Sequence, residues 1–252
     1  KGWVNNNLPT SPTGLEALDE GNGIGWRLIG QDADNYGNIG LNAVDLSNST
    51  SASSTTGAVG ISTFAQGEDH QIDAGYSAAF GWNNKILYAG GNSGSGNFAT
   101  GFNNTMYEWT WTNINSGYLN KLGTSGSTGG NTPVSYQSGT LGYFNNSYAG
   151  KGSFLIGAGL LHGGAHCTVV GAANVDITNT VADQFFPPDN DLLNPAFIVG
   201  TGDVDRTIDT APVLTRRNGF VVLRNGVVTA PEETTALIDA EVTGRVLVTK
   251  EW

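Results

Sequence analysis

The chain has 252 residues, with 11 Lys and Arg against 22 Asp and Glu, a formal net charge of −11, and only 13% charged residues. Binding phosphate backbones needs a basic stripe, so this balance disfavours nucleic acid as a partner. One cysteine, Cys167, excludes an intrachain disulfide and a Cys-based zinc site. Glycine is 37 of 252 residues, about twice its usual ~7%, and there are 26 Asn. Both residues favour turns and left-handed backbone and weaken helix interiors, while the apolar residues are often β-branched or aromatic. The expected class is all-β. A hydrophobic content of 38%, including 6 Trp, 8 Tyr and 10 Phe, argues for a packed chain over a disordered one. No run approaches the ~18 apolar residues of a membrane span.

Taken in chain order, residues 1–57 read as a connector followed by a short β module. "KGWVNNNLPTSPT" (1–13) has no periodicity. Between 24 and 46, "IGWRLIG" and "IGLNAVDL" read as strands separated by the turn-rich "QDADNYGN". Asp32 to Gly37 has the opening spacing of a calcium loop, but its twelfth place is Ala43 instead of Glu, so no calcium site is assigned. "SNSTSASSTTG" (47–57) reads as a linker or exposed loop.

Residues 58–184 change character. Gly67, Gly81, Gly101, Gly157 and Gly171 align, each with an apolar residue two places earlier: Ala65, Ala79, Ala99, Leu155 and Val169. Spacings of 14 (Gly67 to Gly81) and 15 (Gly142 to Gly157) indicate stacked coils, each too small to bury its own apolar face. In "AAFGWNN" and "FATGFNN" the Ala faces inward, the Gly makes the bend and the Asn pair makes the turn.

The repeat is expected to break between Gly101 and Gly142, with an aromatic insertion over 102–141. Strand alternation in "MYEWTW" puts Tyr107, Trp109 and Trp111 on one face, with Tyr118 nearby. Such a row suits a sugar ring or a protein partner, or it covers the shaft. His162 and His166 in "HGGAHC" lie four apart, but among glycines instead of on a helix, so they are assigned a structural role and no metal is expected.

Residues 185–252 form a third segment. Two Asn-Gly pairs, at 218–219 and 225–226, flank "FVVL" and signal a hairpin. A short helix is expected within "TAPEETTALIDAEVTG" (229–244). The start "KGW" and the end "KEW" suggest one slice of a longer protein whose modules share a boundary sequence.

The glycine-anchored repeats resemble the head repeats of YadA-like trimeric adhesins. "GLEALDEGNGIGWRLIG", "YGNIGLNAVDLS", "NPAFIVGTGD", "NGFVVLRNG" and "LVTKEW" resemble phrases of phage tail fibres. The resemblance implies an elongated homotrimer of stacked β-roll coils with a hairpin-rich C-terminal segment. It also implies a place in a virion tail or extracellular phage-like particle, and contacts with a host cell-surface glycan or protein and with other fibre or baseplate proteins. Trimerisation also has a physical motive, since thin Ala-lined coils bury little area alone and closed cyclic symmetry leaves no open edge. A shaft or spacer role is the first alternative, and a polysaccharide-degrading tailspike is the second. No cofactor and no catalytic residue is assigned: Glu68, Asp69, Asp73 and Glu108 form no evident acid pair, and no hydrolase or phosphate-loop motif occurs.

Overall fold

The computed structural model describes residues 14–88, 95–107, 110–123, 135–148, 152–176, 194–208 and 210–229. The connector at 1–13, the candidate Trp109 and the expected helix beyond residue 229 lie outside them. The chain is an all-β solenoid of about eight turns. Its only described helical element is a single 3-10 turn, Ala33–Asn35, capped by Asp32, where the calcium-loop spacing occurred.

Each coil has a five-residue strand, a sharp corner, a two-residue strand and a return. An antiparallel hairpin, Leu15–Asp19 with Ile24–Leu28, starts the long sheet. Val44–Asn48, Phe64–Glu68, Ala78–Trp82, Phe98–Phe102, Ile114–Tyr118, Gly139–Tyr143, Phe154–Ala158, Thr168–Ala172 and Pro195–Thr201 then stack in parallel. The short sheet runs alongside, from Gly57–Ala58 and Gln71–Ile72 to Asn146–Ser147 and Leu161–His162. Antiparallel strands Asn218–Leu223 and Val228–Thr229 close the far end. Asn225-Gly226 makes the turn of that hairpin, with Gly226 at φ 83°, whereas Asn218-Gly219 begins a strand.

The glycine column is a steric requirement. Gly67, Gly81, Gly101, Gly117, Gly142, Gly157, Gly171 and Gly200 are register partners in succession. A Cβ on Gly101 would lie 2.1 Å from the Gly117 carbonyl oxygen, and one on Gly117 would lie 1.9 Å from that of Gly142. Gly101 also has φ 107°, which side-chain-bearing residues resist. Contrary to the expected break after Asn104, Ile114–Tyr118 supplies a coil in full register through Gly117. Spacing alone passed over that glycine because the residue two before it, Asn115, is polar.

Two residues after each of these glycines up to Gly171, the backbone turns left-handed: Asp69, Asn83, Asn103, Leu119, Phe144, Gly159 and Ala173 all have positive φ. The next residue points inward and ties coil to coil. The Asn104 amide nitrogen donates to Thr100 O and Gly117 O (both 2.9 Å), while its oxygen accepts from the backbone N–H and the side chain of Asn120 (both 3.1 Å). Asn84, Asn120 and Asn145 repeat the pattern, so these buried amides form a continuous ladder. A buried amide this well satisfied fixes register, because any slip leaves carbonyls and N–H groups unpaired. His70 is the first rung. Its Nδ1 accepts from the Asn84 N–H at 3.2 Å, so Nε2 carries the proton and donates to Gln66 O at 2.9 Å. Burial, only partly opposed by that Gln66 bond, holds the imidazole pKa below its usual value.

The interior has two apolar sections. In the first, small Ala65, Ala79 and Ala99 from the long sheet face Ile72, Ile86, Met106 and Leu122 from the short one, all fully buried. In the second, Leu155, Leu160, Cys167, Val169, Ile198 and Val221 pack together. Between them lie the buried polar residues Asn115, Thr140 and Ser147; the Thr140 hydroxyl donates to Asn115 Oδ1 at 2.7 Å.

Candidate functional surface

Strand alternation that buries Ala65, Ala99, Leu155 and Val169 turns their neighbours outward. Because the strands stack in parallel register, outward residues align into rows along the rod. One row carries Phe64, Phe98, Ile114 and Phe154, and a second carries Phe80, Leu141, Ile156 and Val170. Several stay open to solvent: Ile114 is 46% exposed, Ile156 45%, and Phe98, Leu141 and Phe154 each 39%. The two rows meet at the Phe64–Phe80 and Phe80–Phe98 ring pairs, with centroids 5.4 and 5.6 Å apart.

A third row follows the glycines. Trp82, Phe102, Tyr118 and Tyr143 stack in succession, with centroid separations of 4.2, 5.0 and 5.6 Å and interplanar angles of 24°, 15° and 14°. The Arg206 guanidinium lies 3.9 Å over the Tyr143 ring and ends the stack with a cation–π contact. The stack exists because the glycine column brings successive corners close. With the ring faces used on one another, the stack presents a strip of ring edges along the rod, suited to an apolar protein surface.

Of the four candidate residues, Tyr118 joins this stack. Tyr107 and Trp111 do not share one strand with it. Tyr107 follows the short strand Thr105–Met106, and Trp111 lies in Thr110–Trp111, which pairs in parallel with Ser135–Tyr136. The alternation read across 107–111 is therefore interrupted, because Thr105–Met106 and Thr110–Trp111 belong to different sheets. Trp82, Phe102 and Tyr143 were missed as partners of Tyr118. Their shared signal was the aromatic directly after each column glycine, visible in "GWNN", "GFNN", "GYLN" and "GYFN".

The two histidines of "HGGAHC" do not converge. His162 is buried with Nδ1 3.6 Å from Asp176, whereas His166 is exposed. The Tyr148 hydroxyl donates to Asp176, and its pKa is pushed upward by burial and by that bond. Burial likewise pushes the Cys167 thiol up to about 12, which makes it a poor nucleophile. These groups fasten the coils near the C-terminal end together. Among the described residues, no group of three or more His, Cys, Asp or Glu is placed to hold a metal ion, and no helix is long and apolar enough to cross a membrane. No protein-family model, curated protein or solved structure matches the chain.

Proposed function

We propose that this chain is a segment of an attachment fibre of a phage or phage-like particle, working as a homotrimer that engages a glycan or protein on a host cell surface. The observation that carries the proposal is the outer face of the long sheet, where Phe98, Ile114, Leu141, Phe154 and Ile156 stay exposed in straight rows. Exposed apolar patches that continue over several strands mark interaction surfaces, and straight rows on parallel rods let identical copies align along a common axis. Fully burying one such side chain contributes about 1.5–3 kcal/mol, so a few rows suffice to hold copies together. The ring stack flanks these rows, and its less buried members, Trp82, Phe102 and Tyr118, extend the recognition surface.

Light scattering on the purified chain tests the assembly. The expected mass is three times the 26.2 kDa chain, and Leu141→Asp with Ile156→Asp should return it to a single chain. A wild-type mass of one chain would end the proposal. The regularity of the coil stack favours a second reading, that of a shaft that spaces other modules. Electron micrographs separate the two, since a terminal knob indicates recognition and a mid-fibre position indicates spacing.

A further inference from the structure

The first two full coils carry a recess that the aromatic face does not use. Its floor is a square of four side chains. Asp69 and Asn83 stand on successive corners, and Gln71 and Lys85 are register partners on the short sheet. Its wall is the loop from Ser49 to Thr56, and together they border an open recess of about 310 Å³ lined by residues of polar type.

The wall is held in place. Ser49 N–H donates to the Tyr36 hydroxyl (2.8 Å), Asn35 donates to Ser49 O (3.0 Å), and Ser53 N–H donates to Asp34 O (2.9 Å). The Ser53 hydroxyl gathers the backbone N–H groups of Thr55 and Thr56, at 3.2 and 3.1 Å. The floor is also fixed: Gln71 donates to Asp73 Oδ2 and Asn83 donates to Asn103 Oδ1, both at 2.7 Å, and their own amide oxygens accept no hydrogen bond among the described residues. Asp69 and Lys85 are partly buried residues, yet neither makes an ion pair or a side-chain hydrogen bond among the described residues. An acid and a base left without ion pairs, lining one recess with fixed amides and hydroxyls, are suited to a ligand that supplies both donors and acceptors.

We infer that this recess binds a neutral saccharide unit, with Asp69 accepting from ring hydroxyls and Lys85 donating to a hydroxyl oxygen. The volume lies at the small end for ligand sites and suits one sugar ring. Every lining residue is of polar type, which favours a ligand rich in hydroxyls. Asp69 and Lys85 balance one another in the recess, which suits a ligand without net charge, and the chain's net charge of −11 disfavours acidic sugars. The same row continues to Thr105 and Lys121, but there the wall loop is gone, which confines the site to the start of the stack. The inference rests on the attachment reading for its biological role only.

The test is to titrate the full chain with glucose, galactose, N-acetylglucosamine and glucuronic acid, followed by saturation-transfer NMR and calorimetry. At least one neutral sugar should bind with a dissociation constant of about 1–10 mM, ordinary for a small polar ligand. Asp69→Asn, which keeps a residue tolerant of the left-handed corner, and Lys85→Met should each weaken it tenfold or more. Lys121→Met, on the same row outside the recess, should leave it unchanged. The inference is overturned if no neutral sugar binds, if the two recess variants bind like wild type while keeping its β-sheet circular dichroism, or if glucuronic acid binds tightest. Assembly mass and cell adsorption are measured on the same samples. A trimer that adsorbs but binds no sugar sinks the recess alone, and a sugar-binding single chain sinks the trimeric fibre alone.

Discussion

Replacing Gly101 by alanine tests the physical basis of the coil stack. The added methyl carbon would lie 2.1 Å from the Gly117 oxygen and 3.0 Å from its carbonyl carbon, against an ordinary contact that begins near 3.4 Å. The obstructing atoms are backbone, so no side-chain rotation relieves the overlap, and the two strands must part. Parting them also stretches the 2.9 Å bond from Asn104 to Gly117 O. The unfavourable φ costs about 1–3 kcal/mol, the overlap about 1–3, and the weakened buried bonds about 1 more. The expected loss is about 3–7 kcal/mol, a large share of an ordinary domain's stability of ~5–15. Two controls divide the effect. Gly226 has φ 83° and open space around it, so Gly226→Ala reports the backbone term alone, at about 1 kcal/mol. Gly40 lies outside the left-handed region, but its added Cβ would be 2.1 Å from Gly60 O, so Gly40→Ala reports the contact alone. Urea unfolding followed by circular dichroism at one fixed protein concentration measures all three. If Gly101→Ala loses no more than Gly226→Ala, the close-approach account of the glycine column is wrong.

Two further predictions concern the inward ladder. Asn104→Ala removes three donations and two acceptances at a fully buried position and should cost about 3–5 kcal/mol. The near-isosteric Asn104→Asp should do no better at neutral pH, because it turns a carboxylate oxygen toward Thr100 O and Gly117 O; equal stability of Asp and wild type in the same denaturation assay would refute the donor assignment. His70 makes the first rung pH-sensitive. Its folded-state pKa is lowered, so its contribution is complete above the unfolded value of about 6.5 and is lost as pH falls through the lower folded value. Stability measured from pH 7.5 down to pH 4.5 should fall more steeply in wild type than in His70→Asn; parallel curves would refute this.

The class of the fold and its glycine period were legible because both follow from local chemistry. A glycine with an apolar residue two before it needs only a tight corner and an inward neighbour, and Ala65, Ala79, Ala99, Leu155 and Val169 all prove fully buried. Less local facts stayed hidden. Each Asn pair looked like a turn, yet only the first member, Asn83 or Asn103, turns the chain. The second, Asn84 or Asn104, is buried, and most of its partners belong to other coils. The coil at Gly117 went unseen because Asn115 fills an inward position with a polar side chain that Thr140 satisfies. The aromatic stack was missed for the same kind of reason: each ring after a glycine meets the next only when the chain has looped back to register 16 to 25 residues on.

Those unequal intervals carry one more consequence. Between register-matched glycines the chain takes 14 residues from Gly67 to Gly81, 20 from Gly81 to Gly101 and 25 from Gly117 to Gly142. The strand and corner keep the same form each time, and the extra length falls between the short strand and the next long one: after Ile86 and before Phe98, then after Leu122 and before Gly139. Doubling a loop adds only about 0.6 kcal/mol of closure entropy. One flank of the rod can therefore gain or lose whole segments while the ladder, the glycine column and the aromatic stack keep their geometry. Sequence novelty is cheap on that flank, and the opposite side holds the register.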